Sequence, residues 1–422
     1  MQDGTSSRLS GGAARIGAMF DPLSEEYLAA PYPFMAEARN AAPVFYSEKL
    51  DHWVVTRYPL IRQVFLNPQV FSAANANAPL APTCPAAAKA LEDGGWKAVP
   101  TLANVDPPAH TRVRRIANAA FTPARIVAME GFIRDLVVRY CNKRFRDGHA
   151  DVVRDLAWEL PVRVLFRILG IQEDRVAEIK EGSWNRILFV YGRPQGEREQ
   201  VCAAAGMAAF WRIAEELVEV RRRQPQDDFT SVLVSTTDEN GEMLSPQQAA
   251  TVVLNLLFAG HETTTGILGN CFRRMLADQE AWQAIRADRA LIPNAVEEVL
   301  RLDSSVIAWR RRAADATELD GVSIPAGANL LLLLGSGNRD PDVFPDPDRF
   351  DIRRPNAKDH LSFGHGAHLC LGRQLARLQA KIVLEELSAR FPTMRLRPGV
   401  KLEFAPNVSF RGPLSLPVMW NG

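Results

Sequence analysis

The chain has 422 residues, 47% of them apolar and 23% charged, and its 50 Lys and Arg against 49 Asp and Glu leave a net charge of +1. This balance gives no global reason to expect nucleic acid or an anionic membrane surface as a partner, and the apolar share allows an ordinary globular core. Five scattered cysteines (Cys84, Cys141, Cys202, Cys271, Cys370) with no Cys-x-x-Cys pair argue against a disulfide framework or a structural zinc site. Met1 to Gly17 is small and polar, unlike a signal segment. No window approaches the ~18 to 20 uncharged apolar residues of a spanning helix, so a cytoplasmic protein is expected. Length alone suggests two or three domains. With no Gly/Ser linker, low-complexity tract or repeat, residues 1–422 are instead expected to form one mixed fold, with residues 1–20 as a flexible lead.

In chain order, Tyr32-Pro33-Phe34 opens a short helical pattern. The β-branched and aromatic run His52-Trp53-Val54-Val55-Thr56 predicts a strand, and Tyr58-Pro59 opens a helix to Leu66. Phe71 to Asn104 reads as a loop too long for a simple connector, which suggests a lid or binding loop. A helix then starts within Asp106 to Arg115, with His110 and Arg114 one turn apart on one face. Two readings of that pair stay open: a solvated basic face, or donors for two anionic groups. From Phe121 to Arg223 the pattern is helical nearly throughout, including 124–146, 152–169 and 204–223. Trp184, Ile187, Leu188, Phe189, Val190 and Tyr191 precede a Gly192-Arg193-Pro194 breaker and are compatible with ordinary core.

A long helix is predicted from Ser245 to about Asp278, with Ser245 as N-cap, Pro246 at the first helical position and Gln248 completing a capping box. It spans roughly 50 Å at about 1.5 Å per residue. Its middle is Ala259-Gly260-His261-Glu262-Thr263-Thr264-Thr265. A mid-helix glycine costs about 1 kcal/mol relative to alanine, and three threonines add to the reluctance. Either a close helix crossing at Gly260 or a ligand against an opened turn accounts for it. Glu262 followed by Thr263 sets an acid beside an alcohol, able to hold and relay protons, and Asn255, Phe258, Ala259 and Thr263 share one face. Farther on, Glu298 and Arg301 lie one turn apart and can pair. Val306 to Arg312 and Leu330 to Leu334 predict strands, Asn338 to Pro341 a turn, and Ala405 to Phe410 a turn-like tip.

The remaining stretch is Phe363-Gly364-His365-Gly366-Ala367-His368-Leu369-Cys370-Leu371-Gly372, a glycine-rich loop that delivers one cysteine to the start of an amphipathic helix, Gly372 to Phe391. Backbone N–H groups and the positive helix end can support a thiolate there, and Gly364, Gly366 and Gly372 let backbone lie close to a large flat ligand. His368 could hydrogen-bond an acidic group at that ligand's rim. As a lone cysteine Cys370 is a small buried hydrophobe, but Phe-x-x-Gly-x-His-x-Cys-x-Gly closely resembles the heme-binding loop of the cytochrome P-450 superfamily, in its soluble bacterial form.

The resemblance runs from Tyr32-Pro33 to the final strands. It implies a mainly helical α+β fold with a small β-rich lobe and heme b (iron protoporphyrin IX) between the long central helix and the helix after the cysteine loop. Cys370 is then the axial thiolate of the heme iron. Phe363, Gly364, His368 and Gly372 of the loop, with Ala259 and Gly260 of the helix, contact the heme. His110 and Arg114 face the propionates, as does Arg311, counted back from Glu318-Leu319-Asp320-Gly321, with Arg310 and Arg312 close enough to exchange with it. Glu262 and Thr263 match the family's catalytic acid-alcohol pair. Asn255, Phe258, Ala259, Val306, Ile307 and Trp309 line the substrate space, roofed by the Trp184 to Tyr191 cluster. Glu298, Arg301 and, from Pro347-Asp348-Arg349-Phe350, Arg349 lock the region beneath the loop.

The implied reaction is monooxygenation. One atom of O2 enters a small, largely apolar organic substrate, by hydroxylation or O-dealkylation, and the other leaves as water. No Gly-x-Gly-x-x-Gly after a strand and no iron–sulfur spacing is present, so no fused reductase domain is expected in this chain. Electrons are expected from a ferredoxin or flavodoxin with its NAD(P)H reductase, with Arg112, Arg115, Arg373 and Arg377 as contact candidates on a monomeric protein. The competing readings are a peroxide-driven peroxygenase, against which Glu262-Thr263 argues, a ring-coupling or rearranging member of the family, and a heme-binding sensor.

Overall fold

A computed structural model describes residues 11–193 and 196–421, so Pro194 of the breaker and residues 1–10 lie outside the described residues. The architecture is helical, with one five-stranded sheet and two smaller ones. In spatial order the large sheet runs Val44–Ser47, His52–Val55, Asn329–Leu332, Trp309–Ala313, Phe71–Ser72. Only His52–Val55 and Asn329–Leu332 pair in parallel, with Trp53 opposite Leu330. Antiparallel to the latter, Arg311 faces Leu330 and Trp309 faces Leu332, which places the arginine-rich strand inside the sheet.

The second half of the expected flexible lead is ordered. Gly11–Met19 is a helix that buries Ala13 and Ile16. A Cβ on Gly17 would collide with the Tyr46 carbonyl, so this helix lies directly on the edge strand. The stretch from Phe71 to Asn104 is likewise more than loop. Phe71–Ser72 joins the sheet and Pro85–Asp93 is a helix capped by the Cys84 sulfur.

The main apolar core joins the helices Glu130–Arg144, Glu262–Ala277, Ile292–Leu302 and Arg373–Arg390 through residues such as Leu136, Leu268, Val299 and Val383. A second cluster packs Val176–Tyr191 and Glu197–Arg223 over Pro246–Ala259. The expected capping box is present in full at Ser245 and Gln248, with Pro246 in the first turn. The helix it starts is not continuous, however. It ends at Ala259, and a second helix begins at Glu262.

Candidate functional site

The cysteine loop is built by glycine and closed by its own backbone. Gly364 and Gly366 have φ of 70° and 69°, the left-handed region that L side chains rarely adopt. The Cys370 N–H donates to the Phe363 carbonyl at 2.9 Å, and the Gly364 N–H to Leu361 at 2.8 Å, which turns the chain back before the helix Arg373–Arg390. A Cβ on Gly366 would meet the Phe65 carbonyl at 2.7 Å, whereas one on Gly372 would meet nothing within 4 Å. The loop is therefore anchored to the sheet lobe on one side and borders open space on the other. Burial pushes the Cys370 thiol up, while the Gly372 N–H and the Arg114, Arg373 and Arg377 charges pull it down without prevailing.

Beside the loop lies a group of nitrogens with nothing to bind. His110 is buried and both its ring nitrogens lack a partner among the described residues, as does His368 Nε2. The two rings are 4.1 Å apart. Arg311 is buried, and the one hydrogen bond its guanidinium makes among the described residues goes to the neighbouring Arg310 carbonyl at 2.8 Å. Burial together with the Arg114 and Arg311 charges brings His110 down to about 4, and burial with Arg311 and His110 brings His368 to about 3. Arg311 itself is lowered to about 10 by burial. Cationic and imidazole groups crowded together and underbonded make a place for an anion. Of the three consecutive arginines, Arg311 is the one that faces this place. Arg310 donates to the Ala76 carbonyl, and Arg312 is exposed over Gly327.

At the interruption of the central helix, threonine hydroxyls replace amides. Thr263 Oγ1 donates to the Ala259 carbonyl at 2.7 Å and Thr264 Oγ1 to Gly260 at 3.1 Å. A Cβ on Gly260 would meet Leu165 side-chain carbons at 3.0 and 3.1 Å, so a close helix crossing accounts for the missing side chain, while the glycine itself stays half-buried. Ala259 is the exposed position, with half-buried Asn255 and Thr263 one turn to either side. The Glu262 carboxylate turns to Lys180 of the roof helix Val176–Tyr191, whose Nζ lies 2.9 Å away, and the Nε2 of the preceding His261 lies at the same distance. Burial opposes its ionisation, but His261 and Lys180 outweigh burial and hold it at about 2. Acid and alcohol are adjacent in sequence, yet the acid is engaged away from the alcohol. Neither Lys180 nor His261 was visible as a partner in the sequence.

Above the break, Tyr191, Phe258, Trp309 and Phe410 form one ring cluster. Tyr191 lies 4.9 Å from Phe410 and 6.4 Å from Phe258, and Trp309 lies 6.3 Å from Phe410. Val306 is bridged to Phe410, so the turn-like tip does come down here. Ile307 does not line this space: a Cβ on Gly335 would meet it at 3.5 Å, and it joins the amino-terminal cluster with Phe20 and Met35.

Beneath the loop, Glu298 accepts from Arg301 at 2.7 and 2.8 Å. The second arginine on this carboxylate is Arg354, at 3.1 Å, rather than Arg349, which is exposed and supplies only its backbone carbonyl. Arg112, Arg115 and Arg377 are occupied by Asp238, Glu239 and Glu297. Of the four contact candidates only Arg373 has no carboxylate partner among the described residues, and it donates to the Cys370 carbonyl.

Comparison with known proteins agrees with this arrangement. The family model for cytochrome P450 matches residues 197–403. The curated cytochrome P450 monooxygenase PikC of Streptomyces venezuelae is 35% identical over 408 residues, 94% of this chain and 93% of that protein. Among solved structures, cytochrome P450 CREJ in complex with (4-ethylphenyl) dihydrogen phosphate superposes with a TM-score of 0.92 at 39% identity, over 96% of this chain and 100% of the other. Full-length CYP116B46 from Tepidiphilus thermophilus also gives 0.92, at 36% identity, and 96% of this chain matches 54% of that longer one. Proteins of this family bind heme, and the donors here suit it: one sulfur on a glycine-built loop, open space over Gly372, and, where carboxylates would sit, His110, the His368 Nε2 left over from its Nδ1 bond to the Leu102 carbonyl, and Arg311 with no carboxylate partner among the described residues. With loop geometry, fold and near-full-length sequence similarity in agreement, the chain belongs to the cytochrome P-450 family of heme-dependent monooxygenases.

Proposed function

We propose that residues 1–422 form one heme domain that hydroxylates or O-dealkylates a small, largely apolar organic substrate, with electrons from a ferredoxin or flavodoxin and its NAD(P)H reductase. Arg373, free of a carboxylate partner among the described residues, is the remaining contact candidate for that donor. The observation that carries the reading is the cysteine loop set beside the underbonded His110, His368 and Arg311. When bound, heme with a thiolate ligand supplies the oxygen-activating chemistry. Cys370 is the residue to provide that sulfur, His110, His368 and Arg311 to hold the propionates, and Arg114, near enough to Cys370 to feel its charge, to balance the site. The aromatic cluster excludes water and offers the substrate flat apolar surface. An aromatic body fits such walls, and the CREJ structure holds an aryl compound. The test is the difference spectrum of the dithionite-reduced protein with carbon monoxide. The red-shifted Soret band supports thiolate ligation, and heme without that band in fresh, folded protein defeats it.

Thr263 and Glu262 divide the handling of protons. The Thr263 hydroxyl sits on the face of Ala259 and can orient water above the heme, while Glu262 stays ionised on Lys180 and must leave that ammonium to pass a proton onward. Thr263→Ala is expected to keep the carbon monoxide band and substrate affinity while product formed per NAD(P)H falls about tenfold or more. Glu262→Gln is expected to lower kcat by about 100-fold. Full coupling in the threonine variant would remove the hydroxyl from the mechanism.

His110 gives the heme-free protein a defined acid sensitivity. Its pKa of about 4 lies below the ordinary 6.5, so the unfolded chain binds the extra proton first. The stability due to neutral His110 is complete above pH 6.5 and is lost as pH falls toward 4. The melting temperature of heme-free protein is expected to fall by a few °C over that window, and less so in His110→Gln. An equal slope in both proteins would show that the orphaned ring is not the cause.

A further inference from the structure

Arg186, which nothing in the sequence marked, is the feature of the distal side that apolar chemistry does not explain. It lies in the last turns of the roof helix Val176–Tyr191 and is 7% exposed. Its guanidinium carbon stands 4.1 Å over the Phe258 ring. Among the described residues the single hydrogen bond its guanidinium makes is a long one, Nη2 to Asn255 Oδ1 at 3.5 Å, and both Nε and Nη1 have no partner. No carboxylate among the described residues pairs with it. One turn earlier the Ser183 hydroxyl is also fully buried and unpartnered. Asn255 is held in place by donating Nδ2 to Thr101 Oγ1 at 3.1 Å, which leaves its Oδ1 toward Arg186.

A second arginine stands across the ring cluster. Arg310 is 2% exposed, lies 5.0 Å over the Tyr191 ring, has an unpartnered Nε and has no carboxylate partner among the described residues. A ring face compensates only part of the cost of taking a guanidinium out of water, and buried arginines are otherwise paired. Several other buried charges follow that rule, Lys180 with Glu262, Arg221 with Asp228 and Arg301 with Glu298. Buried Arg39 and Arg411 instead donate to Ser336 and to the carbonyls of Leu28 and Ala29, and Arg311 faces the anion place beside the cysteine loop.

Arg186 lies against Phe258 and Asn255 of the helix Pro246–Ala259, which ends at the exposed Ala259 beside the site, so the missing counter-charge belongs to what enters there. We propose that the substrate is an organic anion, an aryl or similarly flat apolar body bearing a carboxylate or phosphate monoester, whose charged end binds Arg186 with Ser183 and Asn255 beside it while the body lies along Phe258, Tyr191 and Phe410. This rests on the monooxygenase reading of the site and adds the chemistry of its substrate. The fork of donors suits either anion.

The test titrates holoprotein with three matched probes, 4-ethylbenzoate, 4-ethylphenyl phosphate and neutral 4-ethylanisole, followed by calorimetry and by the spin-state change of the heme. At least one anion is expected to bind ten times or more as tightly as the ether, and the tighter of the two identifies carboxylate or phosphate as the natural head. Arg186→Gln is expected to weaken anion binding about 10- to 100-fold and to leave the ether within about threefold, with Arg186→Lys in between. Equal affinity for ether and anions in the unaltered protein overturns the proposal, as does a preference that Arg186→Gln leaves intact. The carbon monoxide band of the same preparation separates the two levels of inference. A normal band with no anion preference defeats this proposal alone. A missing band defeats the heme-thiolate reading, and calorimetry still decides whether Arg186 binds the anion.

Discussion

Cys370→Ala is expected to abolish the red-shifted Soret band of the reduced carbon monoxide complex and to bring turnover to background, while the folded structure persists. The loop is closed by the Cys370 backbone N–H on Phe363, by Gly364 on Leu361 and by Leu369 on Gly366, and none of these bonds involves the sulfur. Loss of one thiol from a partly exposed position therefore costs the fold little, within about 1 kcal/mol. The chemistry changes far more. Burial keeps the thiol protonated despite the Gly372 N–H and three arginines, so its thiolate form is tied to a cation binding next to it. No other cysteine is placed to substitute. Cys141 and Cys271 are buried in the main core, and burial pushes Cys141 up to about 12 and Cys271 also upward. Cys84 caps a helix and Cys202 is exposed on another. The variant's melting temperature and carbon monoxide spectrum check this together. A retained band would move the ligand elsewhere, and an unfolded protein would show that the sulfur also holds the loop.

What could be read from the sequence follows the range of the interactions involved. The capping box at Ser245, the glycine-built loop and the strand at His52 are local, and local propensity suffices for them. The same holds for the anomaly at Gly260 to Thr265. Sequence marked the odd stretch but drew one helix through it, and the crossing at Gly260 depends on Leu165, far off in the chain. Long-range pairings were out of reach in the same way. Glu262 finds Lys180 across 82 positions, and Glu298 finds Arg354 across 56. Ile307 was misplaced because a strand's alternation is certain only once its start is known, and regular pairing begins at Trp309. Arg186 was invisible for a further reason: an arginine in a helical run reads as a solvated face until burial shows otherwise.

The second large effect concerns the support beneath the loop, where Arg354→Ala is expected to destabilise the protein by about 3 kcal/mol or more and Arg349→Ala by less than about 0.5 kcal/mol. Glu298 and Arg301 are both fully buried, and such a pair persists only when every remaining donor and acceptor is satisfied. Arg301 completes its bonds on the carbonyls of Asn338 at 2.9 Å, Pro347 at 2.8 Å and Arg349 at 3.2 Å. Arg354 shares Glu298 Oε1 with the Asp351 N–H and reaches the carbonyls of Pro345, Asp346 and Arg349. Truncating it leaves a buried carboxylate with one cation instead of two and releases the 345–349 turn. The effect propagates toward the heme. Asn338 also accepts from the Leu361 N–H at 2.6 Å and donates to Ser362 Oγ at 2.8 Å, directly before Phe363 and the cysteine loop. Heme content is therefore expected to fall with stability in Arg354→Ala and to stay normal in Arg349→Ala, whose exposed side chain makes none of these bonds. Urea midpoints and heme-to-protein ratios of the two variants decide between them. Equal losses would return the supporting role to Arg349.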